Sequence, residues 1–305
     1  MSFFGRQRGP VPDSTHLRRL LTEARLEVIP LKNLTAQLPY LPDAASVSVT
    51  ASPTKTLEDT WKLSKSLSER GLRPVPHLAA RMVTDRDQLA LLVNRLADIG
   101  ASELFLVGGD APEPFGPFRD SIEVLEFILQ LDHGLNHIGV TAYPDGHSFI
   151  SPEVLTESLH QKQELLAAAG VPGHASTQMC FDPGAIREWL REERNAGLTL
   201  PVHLGIPGSV DRAKLLSIGT RLGVGASLRF LQKNKSTVAR LFAPGGYDPN
   251  KLLIPLAADL EPLKIEGLHI FTFNQIESTE SWRRQALSKL NDLVAGATTT
   301  SIHRL

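Results

Sequence analysis

The segment RPVPHLAARMVTDRDQLALLVNRLADIGASELFLVGG, residues 73–109, decides the fold because it holds a complete strand–helix–strand unit. Its two ends, 73–79 and 102–109, are apolar runs of strand length without helical periodicity. Between them, apolar residues recur every three or four positions in 85–100, which is typical of an amphipathic helix, and Gly100 marks its end. The segment therefore predicts two parallel strands joined by a helix.

The same alternation extends along the chain in both directions. Further helical patterns occupy 57–71, 151–170 and 183–197, and the last two begin at Ser151 and Asp182, each followed by a proline. Six more strand-length runs accompany them: RLEVIP (25–30), ASVSVT (45–50), HIGVTAY (137–143), HASTQMCF (174–181), TLPVHLGI (199–206) and GLHIFTFN (267–274).

Eight strands alternating with helices favour an α/β fold, a (β/α)8 TIM barrel that forms one domain over residues 1–305. The pattern also predicts an extra N-terminal helix in 1–24 and a helical insertion in 209–265, before the last strand. A doubly wound sheet is the alternative, but that fold usually carries a glycine-rich turn after strand one, where this chain has IPLK (29–32).

Composition narrows the function classes. The 32 Lys+Arg against 33 Asp+Glu leave a net charge of −1, which does not favour nucleic acid or an anionic membrane as partner. The single cysteine, Cys180, excludes an internal disulfide and suits a reducing, cytoplasmic location. No apolar run approaches the length of a membrane span, and no CxxC or HExxH motif points to zinc. The composition is typical of an enzyme or small-ligand-binding protein.

Polar residues gather at the predicted carboxyl ends of the strands, where TIM barrels carry their chemistry. A carboxylate such as Glu27, flanked by Leu26 and Val28, is costly to bury unless it is paired or functional. Taken singly, several of the others have ordinary structural interpretations, such as a core histidine or an Asx turn. The full set is Glu27, Thr50, His77, Asp110, Tyr143, His147, Thr177, Gln178, Thr272 and Asn274.

Other signals are weaker. His133 and His137 have the i, i+4 spacing of a helical metal site, but HGLNH reads as a loop near the opposite end of the barrel, and no metal site is predicted. The glycines of GVGAS (223–227) lack the context of a phosphate-binding motif. A modest basic group, Lys233, Lys235 and Arg240, suits a solvated helix face or the anionic tail of a substrate.

Taken in order, the strand motifs resemble those of the methylenetetrahydrofolate reductase family over roughly residues 25 to 275. The motifs are LEVIP, VSVTAS, PHLAAR, GGDAP, AYPDGH, STQMCFD, LGI and HIFTFN. The resemblance implies a TIM barrel that transfers a hydride from NADH or NADPH to 5,10-methylenetetrahydrofolate, with folate and nicotinamide as its small-molecule partners and FAD as the usual cofactor.

Carried over by position, Glu27 corresponds to the family's catalytic glutamate, a general acid whose apolar neighbours are expected to raise its pKa. Asp110 matches the catalytic aspartate that also binds the pterin, and Gln178 matches a pterin-binding glutamine. Gln275 is a further substrate-binding candidate in the strand-eight motif. The candidates for cofactor binding are Thr50, His77, Gly109, Tyr143, His147 and Lys162.

Departures from the family pattern affect groups that would neutralise a flavin pyrophosphate. Gly108 stands where the family usually has arginine, and a basic pair is reduced to Gln161 and Lys162. We therefore expect weak or absent FAD binding and direct hydride transfer from the nicotinamide. The alternatives are a related barrel flavoenzyme acting on another folate or a cyclic amine, and a non-catalytic folate-binding paralogue. The contacts to the folate glutamate tail are expected within 209–265.

Overall fold

A computed structural model describes residues 14–52, 54–211 and 247–302, with side chains from 15 to 291 within those ranges. Eight parallel strands close into a barrel in which each strand pairs with the next and β8 pairs with β1. The strands are β1 Arg25–Val28, β2 Ser46–Val49, β3 Arg73–Ala79, β4 Glu103–Val107, β5 His137–Ala142, β6 Gly173–Thr177, β7 Val202–Pro207 and β8 Ile265–Phe271. The predicted TIM barrel and its eight strands are confirmed.

Helices cover the outside of the barrel. After β1 the chain forms only two short 3-10 helices, Lys32–Leu34 and Leu38–Tyr40, and two more, Ala80–Met82 and Ala97–Ile99, flank α3. The α-helices are α1 Ser14–Thr22, α2 Leu57–Ser68, α3 Arg86–Asn94, α4 Ser121–Ile128, α5 Pro152–Ala169, α6 Pro183–Asn195, α7 Asn250–Leu256 and α8 Ile276–Ile302. Among the described helices, none is long and apolar enough to cross a membrane.

Helix starts follow the predicted capping chemistry. The Ser151 side chain accepts a hydrogen bond from the Val154 amide at the start of α5, and Asp182 accepts one from Gly184 at the start of α6. These bonds satisfy backbone donors that have no partner inside the helix. The predicted loop at 133–136 is also present, and His137 opens β5 at the base of the barrel.

The predicted N-terminal helix is α1, which packs against α8 near the amino end of β8. His16 Nε2 lies 2.8 Å from the Ile265 carbonyl oxygen, and Arg283 of α8 donates to the Leu21 carbonyl at 2.9 Å. These contacts hold the two helices beside the seam between β1 and β8. Of the predicted helical insertion, the described part contains α7, whereas GVGAS and the basic group Lys233, Lys235 and Arg240 lie outside the described residues.

Aromatic and imidazole rings fill the barrel interior, which we call the bore, and glycines make room for them. A Cβ at Gly139 would lie 2.6 Å from His174 Cε1, and one at Gly267 would lie 2.5 Å from His203 Cδ2. Side chains larger than hydrogen at these two positions would displace the rings. The outward-facing strand residues, such as Val28, Leu104 and Ile270, are instead apolar and pack under the helices.

Candidate active site

Glu27 is the carboxylate that β1 directs into the bore. Because side chains alternate along a strand, Leu26 and Val28 face the helices while Glu27 faces inward, where it is 7% exposed. His269 of β8 places its Nε2 atom 2.8 Å from Glu27 Oε2, and His77 Nε2 of β3 lies 3.7 Å from the same oxygen. The site therefore has a buried carboxylate between two imidazoles.

The protonation of Glu27 differs from the prediction. Burial alone would raise its pKa, but the hydrogen bond and charge of His269, the nearby imidazole of His77 and a hydrogen bond from Thr50 hold that pKa below its usual value. The expectation of a raised pKa is therefore wrong, because it considered only the apolar sequence neighbours. The decisive groups come from β8, β3 and the end of β2.

His77, a predicted flavin-site residue, lies deep in the bore. Its Nε2 atom is 2.6 Å from Ser48 Oγ, and its ring meets Phe105 edge to face. Burial, partly opposed by the charge of Glu27, lowers the pKa of His77 to about 3. His77 is thus a neutral imidazole that is hydrogen-bonded to Ser48 and lies close to the carboxylate, and its role toward a cofactor stays a prediction.

The carboxyl ends of β4 and β5 bring three predicted residues together at the mouth of the barrel. The rings of Tyr143 and His147 meet edge to face at 5.3 Å. Burial lowers the pKa of His147, and the charge of the exposed Asp110 opposes that effect. Burial also raises the pKa of Tyr143, and Asp110 adds to the increase. The Asp110 carboxylate is thus near enough to act electrostatically on both rings.

Backbone geometry positions Asp110. Gly109 has φ +91°, and a Cβ there would lie 3.1 Å from the Cβ of Ala79. Arg81, the last residue of the PHLAAR motif, donates to the carbonyls of Ala111 and Arg119 in the loop that follows. Glycine at position 109 and the Arg81 guanidinium together fix the loop that carries Asp110.

Gln178 lies at the mouth directly after β6. Its backbone amide donates to the Ala142 carbonyl at 2.7 Å, and its side-chain Oε1 accepts from the Met179 amide at 2.8 Å. With the carbonyl end held this way, the amide nitrogen is the end that can reach a ligand. The neighbouring Cys180 thiol donates to Asp145 Oδ1 at 3.0 Å, which joins the loops after β5 and β6.

Gln275, also predicted to bind substrate, is engaged by another loop. Its Nε2 atom donates to Asp211 Oδ2 at 2.9 Å, and its Oε1 atom accepts from the Asp211 amide at 2.9 Å. Both ends of the side-chain amide are therefore used to connect the segments that follow β7 and β8. Its contact with substrate stays a prediction.

His269 is the functional candidate that sequence reasoning missed. The sequence could have indicated it, because side chains alternate along the strand HIF, so His269 and Phe271 face the same side. The Cα atom of Phe271 pairs with that of Glu27, which faces the bore. Below it, at the base of the bore, lies a second polar group. Arg25 pairs with Glu103 at 2.7 Å, His137 Nε2 lies 2.8 Å from His174 Nδ1, and the rings of His174 and His203 stack at 3.7 Å.

Two sets in the bore have the donor atoms of a metal site within 4.8 Å of one another: Glu27, His77 and His269, and Glu103, His137 and His174. In the first set, His269 is hydrogen-bonded to Glu27 and His77 to Ser48. In the second, the two histidines bond to each other and the carboxylate pairs with Arg25. Because the donor atoms already have these partners, we describe both sets as hydrogen-bonded networks.

The groups expected near a flavin pyrophosphate do not form a cationic cradle. Gln161 is exposed and neutral, and Gly108 has no side chain. Lys162 is buried at 4% exposure, and burial lowers its pKa to about 8, opposed by the charge of Asp120. This donor set fits a dinucleotide pyrophosphate poorly.

The closed barrel, with a buried carboxylate in its bore and polar side chains around its carboxyl-terminal mouth, places the chain among TIM-barrel proteins with an enzyme-like site. The family model described as methylenetetrahydrofolate reductase matches residues 30–217, which is more than half of the chain. The chain belongs to the methylenetetrahydrofolate reductase family. The match begins just after Glu27 and does not include it. The role of Glu27 is therefore inferred from its position in the barrel and not from the family match.

The chain is similar to two solved structures, of which the first shares its fold. An uncharacterized protein from Clostridium thermocellum that binds two copies of 5-methyl-5,6,7,8-tetrahydrofolic acid superposes with a TM-score of 0.61 at 12% identity, covering 89% of this chain and 98% of that one. A putative phosphonomutase from Burkholderia cenocepacia J2315 has a TM-score of 0.46 at 13% identity, covering 93% of this chain and 99% of the other.

Proposed function

We propose that the chain reduces 5,10-methylenetetrahydrofolate to 5-methyltetrahydrofolate with NADH or NADPH. The observation that carries the proposal is the buried Glu27 carboxylate, which Thr50 contacts from the mouth of the barrel. Family membership supports a folate substrate, and 5-methyltetrahydrofolic acid, the ligand of the Clostridium thermocellum protein, is the product of this reaction.

The site residues divide the chemistry between them. Reduction requires that the five-membered ring of the substrate opens by protonation of N10, which leaves an electrophilic iminium at N5. Glu27 supplies that proton as general acid. Asp110, exposed at the mouth, accepts hydrogen bonds from the pterin and stabilises the cation, and the free amide nitrogen of Gln178 donates to the pterin edge.

We further propose that the nicotinamide gives its hydride directly to the iminium carbon. Gly108, Gln161 and the buried Lys162 provide little charge for a flavin pyrophosphate. The requirement for hydride transfer is that one donor ring lies over the methylene carbon, and a nicotinamide at the mouth satisfies it. The Tyr143, His147 and Thr50 side chains would then line the nicotinamide site.

The test is NAD(P)H oxidation on addition of 5,10-methylenetetrahydrofolate, for the wild type and Glu27→Gln. We expect the variant to lose turnover by about 10²-fold or more while still binding folate. Glu266→Gln is the matched control, because that carboxylate pairs with Arg19 at the exposed amino end of β8, and it should retain wild-type turnover. A wild type that binds folate but oxidises no NAD(P)H refutes the reductase proposal.

The flavin content of protein purified without added cofactor tests the hydride route separately. We expect a colourless preparation whose turnover does not increase on addition of FAD. A yellow preparation with stoichiometric flavin would overturn direct transfer and leave the reductase proposal in place.

A second candidate is a folate-binding protein without catalysis. The lowered pKa of Glu27, in which burial is outweighed by His269, His77 and Thr50, favours it, because an ionised carboxylate is a poor acid. In that case wild type and Glu27→Gln would be equally inert while both bind folate.

A further inference from the structure

Glu27 and His269 form a buried pair across the seam that closes the barrel. His269 is 1% exposed and Glu27 is 7% exposed, and 2.8 Å separates Nε2 from Oε2. They stand on the paired strands β1 and β8, and both side chains point into the bore. A hydrogen bond this short between two ionisable groups, shielded from water, makes their protonation interdependent.

These contacts favour the ionised form of Glu27, which conflicts with a role as general acid on its own. Although burial raises the pKa of this carboxyl, the contacts from His269, His77 and Thr50 lower it more. A carboxyl that is ionised near neutral pH has no proton to give to N10. The proton must therefore be held by a group in contact with the carboxylate, and His269 makes the hydrogen bond through which it can pass.

We propose that Glu27 and His269 hold the catalytic proton as one unit, in which His269 is a positioning residue that reloads Glu27. This inference rests on the proposed reductase function. His269, protonated on both ring nitrogens, passes its Nε2 proton to Glu27 and keeps the proton on Nδ1, and a carboxyl proton passes to N10 of the folate. The N10–methylene bond breaks with its electron pair left on N10, and the hydride with its two electrons adds to the iminium carbon. One proton from solvent then restores the pair.

The contacts of His269 direct its Nε2 atom to Glu27. Glu27 is the carboxylate that bonds to Nε2, while Nδ1 is buried without a partner among the described residues. Glu27 is therefore the group with which the ring can exchange a proton. The other groups packed toward it are Arg25 of β1, His77 of β3, Phe105 of β4, His174 of β6, His203 of β7 and Phe271 of β8.

His77 is the other imidazole near the carboxylate, and its contacts differ. Its Nε2 atom lies 3.7 Å from Glu27 Oε2 but 2.6 Å from Ser48 Oγ. The bond to serine engages the atom that would otherwise exchange a proton with Glu27. The geometry therefore assigns the exchange to His269.

The first test is the pH dependence of kcat in His269→Gln, which keeps an N–H donor for Glu27 but no titrating ring. We expect kcat near neutral pH to fall about 10²-fold, KM for folate to change little, and the loss of activity on raising pH to begin at lower pH. His203→Gln is the matched control, since His203 lies half-buried in the same bore, stacked on His174, and makes no described bond to Glu27; it should keep the wild-type profile. Wild-type kcat and pH profile in His269→Gln would overturn the proposal.

The second test does not depend on turnover. NMR of the histidine ring N–H groups in the folded protein without ligands follows the His269 Nε2–H proton in the wild type and in Glu27→Gln. A bond from this group to the carboxylate holds its proton resonance downfield and slows its exchange with water, so loss of the carboxylate should shift the resonance upfield and speed the exchange. An unchanged resonance refutes the pair even in an active enzyme. An inactive wild type with a shifted resonance refutes the reductase function and leaves the pair intact.

Discussion

The side-chain amide of Asn274 bonds to both backbone groups of Ile29. Its Oδ1 atom accepts from the Ile29 amide at 2.9 Å, and its Nδ2 atom donates to the Ile29 carbonyl at 2.9 Å. Asn274 follows β8 and Ile29 follows β1, so this clamp fastens the mouth end of the seam two residues beyond Glu27. Thr272 adds a hydrogen bond from its hydroxyl to the Glu27 carbonyl.

Substitution of Asn274 tests how much the clamp contributes to the free energy of unfolding. Asn274→Ala removes both bonds from a buried position and should lower the free energy of unfolding by about 1–3 kcal/mol. Asn274 has φ 57°, so Asn274→Gly removes the same bonds while relieving the left-handed backbone. Urea denaturation of both variants should find the glycine variant the more stable. Equal stability of Asn274→Ala and wild type would contradict the clamp.

Gly109→Ala should disturb the loop that carries Asp110. An alanine at this left-handed backbone position costs about 1–2 kcal/mol of stability. Its methyl group would also lie 3.1 Å from the Ala79 Cβ, which is too close for ordinary packing. Gly71→Ala is the control because Gly71 has φ +79° but open space around it. We expect Gly109→Ala to be the less stable of the two in urea and to bind folate more weakly in calorimetry, whereas Gly71→Ala binds it as wild type does.

Lys162→Met should stabilise the protein near neutral pH. Burial, opposed by Asp120, lowers the pKa of Lys162 to about 8, so the unfolded chain binds more protons than the folded one between that value and about 10.5. Wild-type stability should therefore rise with pH across this range, and the methionine variant should gain up to about 3 kcal/mol at neutral pH. Lys65→Met, on the exposed face of α2, should change stability by less than about 0.5 kcal/mol. A destabilised Lys162→Met would show that the ammonium has a partner it needs.

Acid should destabilise the barrel through its buried histidines. The pKa values of His174 and His203 lie well below the ordinary value. Burial is the larger cause, and the charges of neighbouring cationic groups add to it. Below about pH 6.5 the unfolded chain takes up protons that these folded histidines cannot, so stability is complete above that pH and declines as the pH falls. Urea midpoints across this range should show a shallower decline for His203→Asn. An identical slope would assign the decline to other groups.

Local patterns predicted the architecture because each strand is a short apolar run between helices with recognisable caps. The helix α4 was not predicted, since SIEVLEFI places apolar residues on more than one face and shows no clear stripe. The long α8 follows the last strand, so no later strand marks its segment as a connecting helix. Glu27 was found because a carboxylate interrupts an apolar strand, which a local pattern can show.

The partners of Glu27 could not be found in the same way. Its pKa depends on His269, which lies 242 residues away and meets it only through the β1–β8 register. The partner of Gln275 could not be predicted either, because its side-chain amide bonds to Asp211 through a contact between two loops. Contacts made by barrel closure are absent from any short stretch of sequence, so the direction of the Glu27 pKa shift was predicted wrongly, whereas its place on the first strand was predicted.

The pairing of β1 with β8 also determines the point in folding at which Glu27 and His269 come together. His269 lies 242 residues after Glu27, so β1 can pair with β8 only once that length of chain has been synthesised, and contacts of such long sequence separation form slowly. Until then the Glu27 carboxyl lacks its bond to His269. In the proposed enzyme, the chain is therefore expected to be inactive until β8 joins the barrel, and a local opening of the seam would abolish activity before the remaining strands separate.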